Sequence, residues 1–135
     1  MEELRGGADV VLKKIMRQAA AERASDVHIE PGASFVRVRF RKDGLLSDRF
    51  CLSSSMAPNL SVRVKVLGRL DVGESRLPQD GSWAEEIDGV PYDFRISVLP
   101  SMYGETIVIR ILSGRVNFIE KNELGMRREQ ESLVR

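Results

Sequence analysis

Between Arg63 and Gly81 the chain gathers the side chains best suited to a charged ligand: Arg63, Lys65, Arg69, Asp71, Glu74, Arg76 and Asp80 stand on a thin apolar skeleton. Arg76 leads into Leu77-Pro78-Gln79-Asp80-Gly81, whose proline and Asp-Gly pair carry turn chemistry. An arginine at the head of such a loop presents a planar fork of donors that meets phosphate or carboxylate oxygens in pairs. It either faces an anion or pairs with Glu74 or Asp80 to hold the loop. A second basic group lies earlier. Arg37, Arg39 and Arg41 alternate with Val36, Val38 and Phe40, so all three share one face of a strand. That row either meets phosphates or an acidic surface of another domain, or forms a solvated outer face.

Other chemistries are excluded by what is missing. No Gly-x-x-x-x-Gly-Lys-Ser/Thr run cradles nucleotide phosphates. The single His28 and single Cys51 rule out the common His/Cys metal clusters, and Cys51 fits a reducing compartment. His28 alternates with Val27 and Ile29 beside Asp26 and Glu30, the setting of an imidazole bonded to a neighbouring carboxylate or backbone group. By itself the chain is expected to be no enzyme and to bind no metal or cofactor. A net charge of +1 gives no bulk attraction to nucleic acid, and the arginine row lacks interleaved aromatics, so nucleic acid is not an expected partner. No window approaches the roughly 20 apolar residues of a spanning helix. The start, Met1-Glu2-Glu3-Leu4-Arg5, is too acidic for a signal peptide. The expectation is a cytoplasmic protein without direct membrane insertion.

The elements that must position these residues follow from periodicity, and 135 residues suit one domain. Val11, Leu12, Ile15, Met16, Ala19 and Ala20 recur at helical spacing, which predicts a helix starting after Asp9 as its N-cap and ending before Ser25. A short strand at Val27–Ile29 stops at Pro31-Gly32. The arginine-bearing strand turns at Asp43-Gly44 into a return strand ending near Phe50-Cys51. After Ser53-Ser54-Ser55, Pro58 suits the first turn of a helix. The next stretch fits two periods: Leu60, Val64 and Leu67 make a helical stripe, while Val62, Val64 and Val66 alternate as in a strand. Trp83–Ile87, Tyr92–Leu99 and Thr106–Leu112 predict a β-meander with turns at Gly89 and at Pro100–Gly104. Phe118 and Ile119 are expected to dock on the sheet, whereas Lys121 to Arg135 is charged, with Leu124, Met126, Leu133 and Val134 as its apolar handles.

Four stretches in fixed order give the chain a resemblance: Ala24-Ser25-Asp26-Val27-His28-Ile29-Glu30-Pro31; Val38-Arg39-Phe40-Arg41-Lys42-Asp43-Gly44; Arg63-Val64-Lys65-Val66 leading to Leu70-Asp71-Val72 and Arg76-Leu77-Pro78-Gln79-Asp80-Gly81; and Asp93 through Pro100 leading to Gly104-Glu105 and Val108–Leu112. Together they resemble the N-terminal, motor-adjacent domain of the ATPases of type II secretion and type IV pilus assembly.

The resemblance implies an α+β fold, a PAS-like antiparallel sheet with flanking helices, as a single domain. Residues 1–9 would be an N-terminal extension, 10–112 the PAS-like domain, and 113–135 a connector toward a RecA-like ATPase domain. It implies a helix over Leu60–Leu70. In such hexamers this domain packs on the motor domain of the same and neighbouring subunits. It supplies arginines to the ATP site, and the matching positions here are Arg76 and Arg63. Arg37, Arg39, Arg41, Gln79 and Asp80 are further candidates for an interdomain or phosphate-facing role. ATP and Mg2+ would belong to the parent protein, its other partners being inner-membrane secretion or pilus platform proteins, and its place the cytoplasmic face of that membrane. The family commonly has Arg after Gln-Asp-Gly and a basic residue before Arg76, where this chain has Ser82 and Ser75. Asp26 and Glu105 read as backbone or ion-pair partners. The alternative is a stand-alone PAS-like ligand-sensing or interaction domain.

Overall fold

Alternation and helical periodicity resolve into seven strands and two helices in the computed structural model, which describes residues 1–113. The order is β1 (Glu2–Glu3), α1 (Ala8–Ala21), β2 (Asp26–Pro31), β3 (Phe35–Lys42), β4 (Leu45–Ser53), α2 (Met56–Gly68), β5 (Gln79–Ile87), β6 (Val90–Ser101) and β7 (Gly104–Ser113). The strands form one sheet in the order β1-β4-β3-β2-β7-β6-β5, antiparallel except for the parallel β1–β4 pair. The expected α+β architecture, an antiparallel sheet with flanking helices in a single domain, is the one observed.

Each strand buries one side. Val27 and Ile29, Val36, Val38 and Phe40, Phe94, Ile96 and Val98, and Ile107 and Ile109 form one core with Val11, Leu12, Ile15, Met16 and Ala19 of α1 and Leu60 and Val64 of α2. Each such side chain contributes roughly 1.5–3 kcal/mol on burial, which is why the alternation fixes the register. The opposite face of the sheet carries the charged residues. The β3–β4 turn is the Asp43-Gly44 pair that the sequence predicts, with φ of 53° and 80°, and Asp88-Gly89 makes the same turn between β5 and β6 with 51° and 81°.

Several boundaries differ from expectation, among them the loop expected at Pro100–Gly104, where β6 runs on to Ser101 and β7 starts at Gly104 because Pro100 and Ser101 pair with Glu105 and Gly104. The N-cap of α1 is Gly7; Asp9 sits in the first turn, where its carboxylate accepts the Val10 N–H at 3.0 Å. The helix starts early because β1 ties residues 2–3 to β4, Leu4 is buried, and Gly6 turns the chain at φ 122°. Helix α2 begins at Met56 rather than Leu60 and ends at Gly68, where Arg69 adopts a left-handed φ of 60° and its N–H caps the helix. Strand β5 begins at Gln79, inside the run read as a turn. Gly81 is a strand residue whose missing Cβ has a steric purpose, since one there would stand 2.8 Å from the Gly68 carbonyl oxygen. The tail with Phe118 and Ile119 lies outside the described residues.

Candidate functional site

Helix α2 and the segment 69–78 that follows it carry the two arginines singled out by sequence. Arg63 is exposed on the outer face of α2 beside Val62 and Val66, 45% and 52% exposed. Val62 and Val66 thus form a small exposed apolar strip beside Arg63. Arg76 is also exposed. Among the described residues its guanidinium has no carboxylate within 4.0 Å, so the pairing with Glu74 or Asp80 is not made. Glu74 instead serves the backbone: its carboxylate accepts the N–H groups of Arg76 at 2.7 Å and Leu77 at 3.1 Å.

The segment is held from both sides. Asp71 caps its own turn, with Oδ1 accepting the Gly73 N–H at 3.0 Å. Gln79, a candidate for a phosphate-facing role, turns its amide inward. Its Oε1 accepts the Asp71 N–H at 2.8 Å, and its Nε2 donates to the carbonyls of Asp71 at 2.9 Å and Glu74 at 3.3 Å. The Glu74 carbonyl also accepts from Lys65 Nζ, a buried ammonium 2.9 Å from the Glu105 carboxylate. Sequence reasoning marked Glu105 as an ion-pair partner but missed Lys65. No local signal marks it: its place after Val64 in the buried stripe Leu60-Ser61-Val64-Lys65-Gly68 is seen only in the fold.

The arginine row lies elsewhere, on the open face of the sheet. Arg39 donates to both oxygens of Glu30, at 3.1 and 2.9 Å. Arg41 lies 3.6 Å from Asp26, which also accepts from Arg110 Nε at 3.1 Å, while Arg37 stands 3.9 Å from Asp48. Asp26 is thus an ion-pair partner, as read from sequence. Asp80 is exposed on the same face, opposite Ser97. His28 stands 3.8 Å from Glu30. Burial holds its imidazole below the usual histidine value, outweighing the upward pull of Glu30 and Asp26. The three arginines of the row are therefore each set against a carboxylate, Arg37 at the longest distance. The predicted residues divide into an exposed pair on α2 and its loop, a brace at Gln79, and a paired network on the sheet.

The cleft between α1, α2 and β5, lined by Met16, Arg63, Leu67 and Trp83, measures about 50 Å³, and a wider recess open to solvent, lined by Leu67, Arg69, Ser82 and Trp83, measures about 660 Å³. Among the described residues no three His, Cys, Asp or Glu side chains converge as a metal site, and no helix is long and apolar enough to cross a membrane.

Compared with known proteins, residues 5–135 match the family described as "Type II/IV secretion system protein". The chain belongs to this family. It is 41% identical over 116 residues to "Protein transport protein HofB homolog" of Escherichia coli (strain K12), covering 86% of this chain and 25% of that protein. It is 37% identical over 116 residues to "Type II secretion system ATPase E" of Vibrio cholerae, covering 86% of this chain and 23% of that one. The chain thus spans about a quarter of each of these relatives. The fold is similar to that of the Legionella pneumophila ATPase DotB, with a TM-score of 0.56 and 16% identity over 83% of this chain and 31% of DotB. Membership of the secretion family fits the N-terminal domain that the four ordered motifs imply.

Proposed function

We propose that this chain is the motor-adjacent, PAS-like N-terminal domain of a hexameric secretion-superfamily ATPase that powers type II protein secretion or type IV pilus assembly. It packs on the RecA-like motor domain of a neighbouring subunit and lends Arg76, with Arg63, to the ATP site there. One observation carries the reading: the Arg76 guanidinium is exposed and unpaired among the described residues, on a segment whose backbone is held by Glu74, Gln79 and Lys65. A long cation on a braced loop loses little further freedom on meeting a fixed anion, which is what positioning requires. The apolar strip of Val62 and Val66 beside Arg63 supplies a surface for the neighbour to cover.

ATP with Mg2+ would bind in the motor domain and bring the phosphoryl group; this chain's part is the placement of positive charge. A guanidinium set against the charge that develops in phosphoryl transfer is worth about 10³–10⁵ in rate, or roughly 4–7 kcal/mol of barrier. The paired arginines of the open sheet face have a different part, the Glu30, Asp26 and Asp48 contacts leaving Arg37 the freest for an interdomain contact. Platform proteins at the inner membrane are the partners that the assembled motor would drive, from the cytoplasmic side. In the full-length protein, Arg76→Ala is expected to lower ATP turnover by about a thousandfold or more while the circular dichroism spectrum is unchanged. Wild-type turnover in a folded Arg76→Ala protein would remove the role.

A further inference from the structure

Lys65 lies on the buried side of α2 with 2% exposure, in one stripe with Leu60, Val64 and Gly68. A buried ion pair such as Lys65–Glu105 is costly to desolvate, and replacing both partners by apolar side chains of similar volume is often neutral or stabilising, whereas removing one leaves the other charge buried alone. Packing therefore does not explain why this position carries charge. What the ammonium adds is reach between elements. Its Nζ stands 2.9 Å from Glu105 at the start of β7 and donates to the carbonyl of Glu74 in the segment beyond α2. The same carbonyl accepts Gln79 Nε2 at 3.3 Å from the start of β5. Glu74 is also the residue whose carboxylate receives the N–H groups of Arg76 and Leu77. A continuous polar path thus runs from β7 through Lys65 to the backbone that bears Arg76.

We propose that Lys65 is a positioning residue: anchored by Glu105, it fixes Glu74 and through it sets where Arg76 is presented. This rests on the reading of Arg76 given above, and it explains why a charge is spent inside the core: an apolar side chain would fill the volume but leave the loop carbonyl to Gln79 alone. Gln79 is the second prop on that carbonyl, so the two act on one atom.

The test uses the full-length protein and two readouts. Peptide-level hydrogen exchange over residues 70–78 is expected to quicken at least tenfold in Lys65→Met, with peptides from β2 and β3 unchanged. In ATP turnover, Lys65→Met is expected to lower kcat at unchanged KM, and to have no further effect in an Arg76→Ala background. The double variant Lys65→Met/Glu105→Leu, which leaves no buried charge unpaired, is expected to quicken the same peptide, and it decides the question if Lys65→Met does not fold. Unchanged exchange in the loop overturns the brace whatever Arg76 does. A fall in kcat that persists undiminished in the Arg76→Ala background overturns the positioning role. Full turnover in Arg76→Ala alone would overturn the reading of Arg76, and the exchange result would still judge the brace by itself.

Discussion

Substituting Gly81 by alanine tests how closely α2 and β5 approach. The φ of Gly81 is not among the positive values, so alanine meets no dihedral penalty and the whole effect is steric. Its Cβ would stand 2.8 Å from the Gly68 carbonyl oxygen and 2.8 Å from Leu70 Cδ2. The leucine tip can rotate away; the carbonyl belongs to the last turn of a helix and cannot. Overpacking of this kind costs typically about 1–3 kcal/mol. The narrower unfolded ensemble of alanine returns about 0.4–1 kcal/mol. The expected net loss is about 1–2 kcal/mol, or a fall in Tm of roughly 3–8 °C for a domain of this size. Thermal and urea unfolding followed by circular dichroism would measure it. Gly73→Ala is the control, because its Cβ would find only the Asp71 carboxylate at 3.6 Å, and it should change stability by less than about 0.5 kcal/mol. If Gly81→Ala unfolds no earlier than Gly73→Ala, helix and strand are not in contact at this point, and the account of why a glycine stands inside β5 is wrong.

Two further outcomes are expected. Burial holds the His28 imidazole below its ordinary value of 6.5, with Arg41 and Arg39 adding to the effect and Glu30 and Asp26 opposing it. The unfolded chain therefore takes up the proton first as pH falls, so stability is level above 6.5 and declines below it until the lowered folded value is reached. Urea midpoints measured from about pH 7.5 down to pH 5.5 should show that decline, and His28→Gln should lessen it. Phe94 is fully buried, with its ring centroid 4.7 Å from that of Trp83 and 5.9 Å from that of Tyr92. Phe94→Ala is expected to cost about 3–5 kcal/mol and to shift Trp83 fluorescence to longer wavelength, both read in one denaturation series.

The sheet was legible because burial on one side imposes period two. Val36, Val38 and Phe40 against Arg37, Arg39 and Arg41 can be satisfied by one arrangement only, and Asp43-Gly44 sets the turn. Helix α2 was not legible from its own residues, since Val62 and Val66 face outward and make the apolar pattern fit a strand equally well. The four ordered motifs resolved it. The start of β5 was hidden for a different reason: Gln79, Asp80 and Gly81 have turn chemistry, and only their partners on β6, Val98, Ser97 and Ile96, draw them into the ladder. Arg76 and Arg63 could be picked out as exposed cations of a recognisable run. Lys65 could not, because its meaning depends on Glu105 and on the Glu74 carbonyl, groups brought to it by the fold and invisible to local spacing.

The last strand of the sheet is also a central one, since β7 lies between β2 and β6. During synthesis the ribosome therefore releases two separate half-sheets, the β2–β3–β4 unit and the β5–β6 hairpin, each with an unfilled edge. Neither can dock on the other until residues 104–113 emerge and stitch the gap. Glu105 arrives with the first residues of that strand, so Lys65 acquires its counter-charge only as the seam closes. The pairing that closes the sheet spans most of the domain's sequence, the kind of long-range contact that makes folding slow and leaves strand edges open to other chains.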